Sequence, residues 1–256
     1  MNCASTNLLR FLLIVTVVAV APLATAADWG SLKGRFVVDG PPPALPPLAV
    51  DKDQYCIDNK PKNDMIVVGK DNGLVNAVVY IFLGRRGKIE IHPDYAALMK
   101  EPVALDNKGC SFHPHVVAVR TGQPFVIKNS DPVGHNTNTA KLFNETIAAG
   151  EERTKTFDKP EALPIPVSCG IHPFMKGQLL IQEHPYMAVS GDDGTFEIKN
   201  IPAGKHEFQF WHETGYLSGV KLSAGATNNR GRATLTIEPG KTLDLGVIKV
   251  PPSLLK

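Results

Sequence analysis

The chain has 256 residues, a formal net charge of +2, 22 glycines, 21 prolines and four cysteines. So even a charge balance gives no electrostatic basis for binding nucleic acid or an anionic membrane surface. The length suits one large β domain or two small ones, and the Gly and Pro content points to a β-rich, turn-rich protein.

The opening stretch, "MNCASTNLLRFLLIVTVVAVAPLATAADWG", has one basic residue, Arg10, then an apolar run from Phe11 to Val20 and the small-residue pattern Ala24-Thr25-Ala26. This reads as a secretory signal peptide over residues 1–26, with an apolar run too short to favour a membrane span. Cys3 precedes the run, away from the cleavage point, so lipid attachment there is not expected. The expectation is an exported protein, periplasmic or extracellular, with no membrane insertion after signal cleavage.

Residues 27–74 form an N-terminal β segment. "LKGRFVVDG" reads as a short strand closed by an Asp-Gly turn, and "PPPALPPL" can be neither helix nor central strand. A second unit, residues 75–184, starts with "VNAVVYIFL", a buried strand, followed by "HPDYAALMKE", a short helix with Pro93 in its first turn. "HVVAVRTGQPFVIKNSD" predicts two strands joined at Thr121-Gly122-Gln123, and "PVGHNTNT" a polar loop. "EERTKTFDK" alternates like an exposed strand, and "PIPVSCGIHPFMKGQLLIQE" reads as strand, loop, strand. In residues 185–256, "GDDGTFEIKNIPAGKHEFQFWHE" and "RATLTIEPGKTLDLGVIKV" alternate between turns at Asp192-Asp193-Gly194, Pro202-Ala203-Gly204 and Pro239-Gly240. The whole predicts an all-β, sandwich-type fold.

"VSCGIHPFMKG" places Cys169, His172 and Met175 at three-residue intervals. A thiolate and a thioether are soft ligands and imidazole is borderline, a set that suits copper in both oxidation states. Two histidines and a cysteine, with a distant methionine, make an arrangement for one-electron transfer. The second histidine must come from elsewhere, and His135 in "DPVGHNTN" is the candidate, in a loop that could share one end of a sandwich with Cys169. Taken singly, Cys169 and Met175 read as core fillers and His135 as a loop residue; their joint occurrence carries the metal reading. Zinc would accept the cysteine and both histidines but has little use for the methionine. Cys56 and Cys110 lie outside this set, and export favours a disulfide between them, with free buried thiols as the alternative. His113 and His115 read as surface residues.

"CGIHPFMKG" resembles the copper loop of amicyanin-like blue copper proteins in the cupredoxin superfamily. "VAVRTGQPFVIKNSDPVGHN" resembles the strand, turn, strand and loop that deliver the first histidine there. The resemblance spans about residues 103–183 and departs at "LPIPV", where the family is usually aromatic-rich. It implies a cupredoxin Greek-key β-sandwich with one type 1 copper on His135, Cys169, His172 and Met175. It also implies that Asn136 braces the loop and holds the Cys169 sulfur. His172 would be the partly exposed ligand through which electrons pass, with Pro173 and Phe174 beside it as a docking patch for a redox protein partner. "DDGTFEIKNIPAGKHEFQFWHE" resembles the transthyretin-like or carboxypeptidase regulatory-like module. That implies a second small β-sandwich, and "GRFVVDGPPP" could supply its opening strand, with the cupredoxin part inserted between. The function that follows is an exported type 1 copper protein carrying single electrons, not an enzyme. The alternatives are a copper carrier or storage protein, or a structural β-sandwich protein with a vestigial copper site.

Overall fold

The computed structural model describes residue 1, residues 28–84 and residues 87–256, so the signal-peptide reading falls outside the described residues. Strand Trp29–Val38 turns Leu32, Phe36 and Val38 inward and exposes Lys33, an alternation that fits a sheet with one buried face. It lies between Thr195–Pro202, antiparallel, and Thr242–Val250, parallel. A second sheet has the order Met187–Val189, Val78–Ile81, Gly204–His212, Gly215–Tyr216, and Arg232–Ile237 also pairs with Gly204–His212. Leu32, Phe36, Phe196, Phe208, Phe210 and Ile248 belong to the core these two sheets share.

The remaining strands build another sandwich. One sheet has the order Ser111–His113, Val103–Lys108, Phe125–Asn129, Glu152–Lys155; the other has Val116–Arg120, Lys176–Gln182, Ile165–Ser168, His135–Asn138, Asn144–Ile147. Two pairs are parallel, Val103–Lys108 with Phe125–Asn129 and Lys176–Gln182 with Val116–Arg120, so these strands are joined by crossovers rather than hairpins. Phe112, Phe125, Ile127, Val167, Leu179 and Ile181 belong to its core. The only helices longer than one turn of 3₁₀ among the described residues are the short Gln54–Asn59 and Tyr95–Leu98, so the chain is all-β, as composition and turn spacing predict.

The strand in "VNAVVYIFL" sits at the junction of the two sandwiches. Val79 and Ile81 face the C-terminal core, while Val78 and Tyr80 join Val116, Leu180 and Trp211 in a cluster of their own. Burial on both faces explains the unbroken apolar run. By pairing, Val78–Ile81 belongs with Gly204–His212 and Met187–Val189, not with the 75–184 unit in which the sequence places it. The 27–74 segment also divides. Trp29–Val38 completes the C-terminal sandwich, whereas Val50, Tyr55 and Cys56 pack on the middle one.

His115 is not a surface residue. It is 7% exposed, with Asp64 Oδ2 3.1 Å from Nδ1 and Glu213 against Nε2; Glu213 also accepts from Gln178 Nε2 at 3.1 Å. The polar "PVGHNTNT" likewise contains a strand, His135–Asn138, in which His135, Asn136 and Thr137 are buried by specific partners.

Candidate metal centre

His135 opens a strand and Cys169, His172 and Met175 lie in the loop between Ile165–Ser168 and Lys176–Gln182, the strand next to it. The fold therefore brings together residues that are more than 30 positions apart in sequence. His135 and His172 are fully buried, Cys169 and Met175 are 2% exposed. The Nδ1 atoms of His135 and His172 lie 3.0 Å apart, and Cys169 Sγ is 3.8 Å from His172 Nδ1. All three donor atoms fall within 4.8 Å of one another. Met175 occupies the same buried cluster as Cys169, and its N–H donates to the His172 carbonyl at 2.9 Å, which closes the loop.

The opposite edge of each imidazole is tied to a carboxylate. His135 Nε2 lies 2.8 Å from Asp131 Oδ2, and His172 Nε2 lies 2.6 Å from Asp53 Oδ2. An Nε2–H donated outward leaves the Nδ1 lone pair free and pointing inward. Asp131 is itself held by the Gly109 and Cys110 N–H groups, at 2.6 and 2.8 Å, and by the Tyr55 hydroxyl at 3.0 Å. Burial pulls the His135 imidazole below its ordinary pKa, against the opposing pull of Asp131, so the ring favours the neutral state a metal ligand needs.

The Cys169 sulfur accepts two backbone N–H groups, from Asn136 at 3.2 Å and His172 at 3.3 Å. The Asn136 side chain braces the loop. Its Oδ1 accepts from Gly170 N–H at 3.0 Å and its Nδ2 donates to Asn144 Oδ1 at 2.6 Å and Glu145 O at 3.1 Å. Asn136 thus has its main chain on the sulfur and its side chain on the loop. Cys56 and Cys110 form a disulfide, and Cys169 is a free, buried cysteine. Cys110, Asp131 and His135 also lie close together, but the bonded Cys110 sulfur has no thiolate to offer a metal.

One expectation is corrected. His172 is not a partly exposed ligand, because Asp53 covers its Nε2 edge. Pro173 is exposed and Phe174 half-buried, with the Phe174 ring centroid 5.7 Å from that of His172, so an apolar rim exists beside a buried imidazole. Sequence reasoning missed Asp53 and Asp131. Asp131 precedes His135 by four residues, and Asp53 precedes Cys56 by three, so each had a local signal: proximity to a candidate metal donor, or to a cysteine of the disulfide.

No protein-family model and no curated protein matches the chain. Among solved structures, it is similar to a copper-containing nitrite reductase from Thermus scotoductus SA-01, at 26% identity over 32% of this chain and 22% of that one, with a TM-score of 0.29. It thus spans about a fifth of that protein. An oxidized amicyanin mutant is 17% identical over 31% of this chain and 81% of its own, with a TM-score of 0.29. A purple cupredoxin from Nitrosopumilus maritimus is 18% identical over 32% of this chain and 99% of its own, with a TM-score of 0.28.

Proposed function

We propose that the protein holds one copper ion in a type 1 site formed by His135, Cys169, His172 and Met175, and carries single electrons to or from a redox protein partner. The observation that carries this reading is the convergence of two Nδ1 atoms and one sulfur, 3.0 and 3.8 Å apart, in the buried interior of the fold. Those separations suit donors sharing one ion with metal–nitrogen bonds of about 2.0 Å and a metal–sulfur bond of about 2.3 Å. Met175 beside them favours copper over zinc. Copper bound there supplies a one-electron couple. The chain's own part is to hold the ligands still. Asp53 and Asp131 fix both ring tautomers, Asn136 fixes the loop, and two N–H groups hold the sulfur. A donor set that cannot rearrange suits a metal that changes valence in place.

Burial of every donor favours retention of the metal over rapid exchange, which supports electron carriage over copper delivery. Exposed Ile171 and Pro173 and half-buried Phe174 offer the partner an apolar rim. The Cys56–Cys110 disulfide suits an exported protein in an oxidising compartment. The cysteine and both imidazoles are committed to the metal in this reading, so the proposed role is electron carriage rather than bond chemistry. An absorption spectrum tests the reading. The protein with one equivalent of Cu(II) is expected to show intense visible thiolate-to-copper charge transfer that Cys169→Ser abolishes. A colourless protein, or a variant with the same spectrum, would overturn it.

A further inference from the structure

Residues 50–59 lie against the end of the middle sandwich that carries the donors. Val50 and Tyr55 pack on its core, Cys56 is bonded to Cys110, the Tyr55 hydroxyl donates to Asp131, and Asn59 Nδ2 donates to the Gly109 carbonyl. These anchors place Asp53, just before helix Gln54–Asn59, with its carboxylate on His172 Nε2. Asp53 has φ 56° and ψ 118°, a conformation that residues other than glycine hold only where the surroundings over-determine it. The His172 side chain has no exposed surface, while that of Asp53 is 44% exposed. Solvent therefore meets a carboxylate where it would otherwise meet an imidazole.

We propose that Asp53 is a positioning residue for His172, and that the disulfide-anchored segment carrying it is a fixed cap over this edge of the site. By accepting Nε2–H, Asp53 leaves Nδ1 as the ring's free donor, aimed at His135 Nδ1 and Cys169 Sγ. Asp131 does the same for His135 from within the core. Each imidazole is thus set by its own carboxylate, one buried and one at the surface, and the same disulfide ties both to one place. Cys56 follows Asp53 by three residues, and the Cys110 N–H binds Asp131.

The part of this inference that concerns metal rests on the proposed copper site; the cap over His172 does not. The metal-free protein is therefore tested first, with diethyl pyrocarbonate as an acylating probe of histidine and peptide mass mapping as the readout. Exposed His113 is the internal reference. In the wild type, His172 is expected to react at least about tenfold more slowly than His113, and Asp53→Ala to raise the His172 rate by about tenfold, as loss of a charge-assisted hydrogen bond and its cover would. Asp53→Asn keeps the shape and an acceptor oxygen, and is expected to retain most of the protection. Wild-type His172 reacting as fast as His113, or an unchanged rate in Asp53→Ala, would overturn the cap. With copper added, Asp53→Ala is expected to keep the visible band but bind the metal about 10–100-fold more weakly against a competing chelator. Unchanged affinity would overturn the positioning role. Absence of the band in the wild type would sink the copper site while leaving the acylation result to decide the cap.

Discussion

Asp131 shows how one side chain can organise a site it does not enter. Its carboxylate is almost wholly buried and accepts from four donors: Gly109 N–H, Cys110 N–H, the Tyr55 hydroxyl and His135 Nε2. A buried carboxylate is tolerable only when so satisfied, and its removal strands every donor at once. Asp131→Ala is therefore expected to destabilise the metal-free protein by about 3–5 kcal/mol, because several buried donors lose their acceptor at about 1–3 kcal/mol each. Urea unfolding measures this, and a loss indistinguishable from a surface substitution would show that the network is not what holds the loop. Asp131 and Asp53 were not legible as functional residues. A carboxylate's role depends on which ring it meets, and the partner of Asp53 is 119 positions away in sequence. The candidate metal donors were legible because the Cys169 loop states its chemistry locally, three donor side chains in seven residues.

At the level of strands and turns, the sequence was most readable where one face is buried and the other wet. Phe196 and Ile198 alternate with exposed neighbours along Thr195–Pro202, and the turn before them contains the glycine it needs. Gly194 has φ +79°, and a Cβ there would lie 2.0 Å from the Phe36 carbonyl oxygen, whose strand runs alongside. Gly194→Ala is accordingly expected to cost more than about 1 kcal/mol, since strain and steric overlap act together. A thermal or chemical melt that leaves the midpoint unchanged would contradict that placement. Reading was harder where both faces are covered. "VVYI" announces a strand buried on two sides, but periodicity does not say by what, and its true partners lie more than 100 residues downstream. His135–Asn138 was hidden for the opposite reason. Its side chains are polar, and only tertiary partners make them interior.

Across the whole molecule, the two sandwiches meet on an apolar cluster with a charged clamp beside it. Val78, Tyr80 and Trp211 from one side pack with Val116 and Leu180 from the other, and His115 joins Glu213 and Asp64 nearby, with His212 close by. Burial opposes charge on His115, but the Asp64 and Glu213 carboxylates outweigh it and push its pKa up to about 9. The folded state thus holds this proton more tightly than the unfolded chain. Its contribution to stability is complete below pH 6.5, the ordinary value, and fades as pH rises through about 9. His184 and His212 are drawn down to about 4 by burial, so what they contribute is intact above 6.5 and is lost as pH falls towards 4. The stability difference between the wild type and His115→Gln is expected to shrink between pH 6.5 and 9, as read from urea midpoints; a constant difference across that window would rule out the charged clamp. Among the described residues, no helix is long and apolar enough to cross a membrane.

The place of Trp29–Val38 in its sheet also sets an order of events. Its two neighbours are Thr195–Pro202 and Thr242–Val250, so the earliest strand of the described chain waits for the last before its sheet is complete. The middle sandwich draws all its strands from residues 103–182 and meets no such delay. On a ribosome, or emerging from a narrow channel, the donor-bearing half can close while its companion still lacks an edge. Contacts that span two hundred residues form late because so long a loop must first be closed.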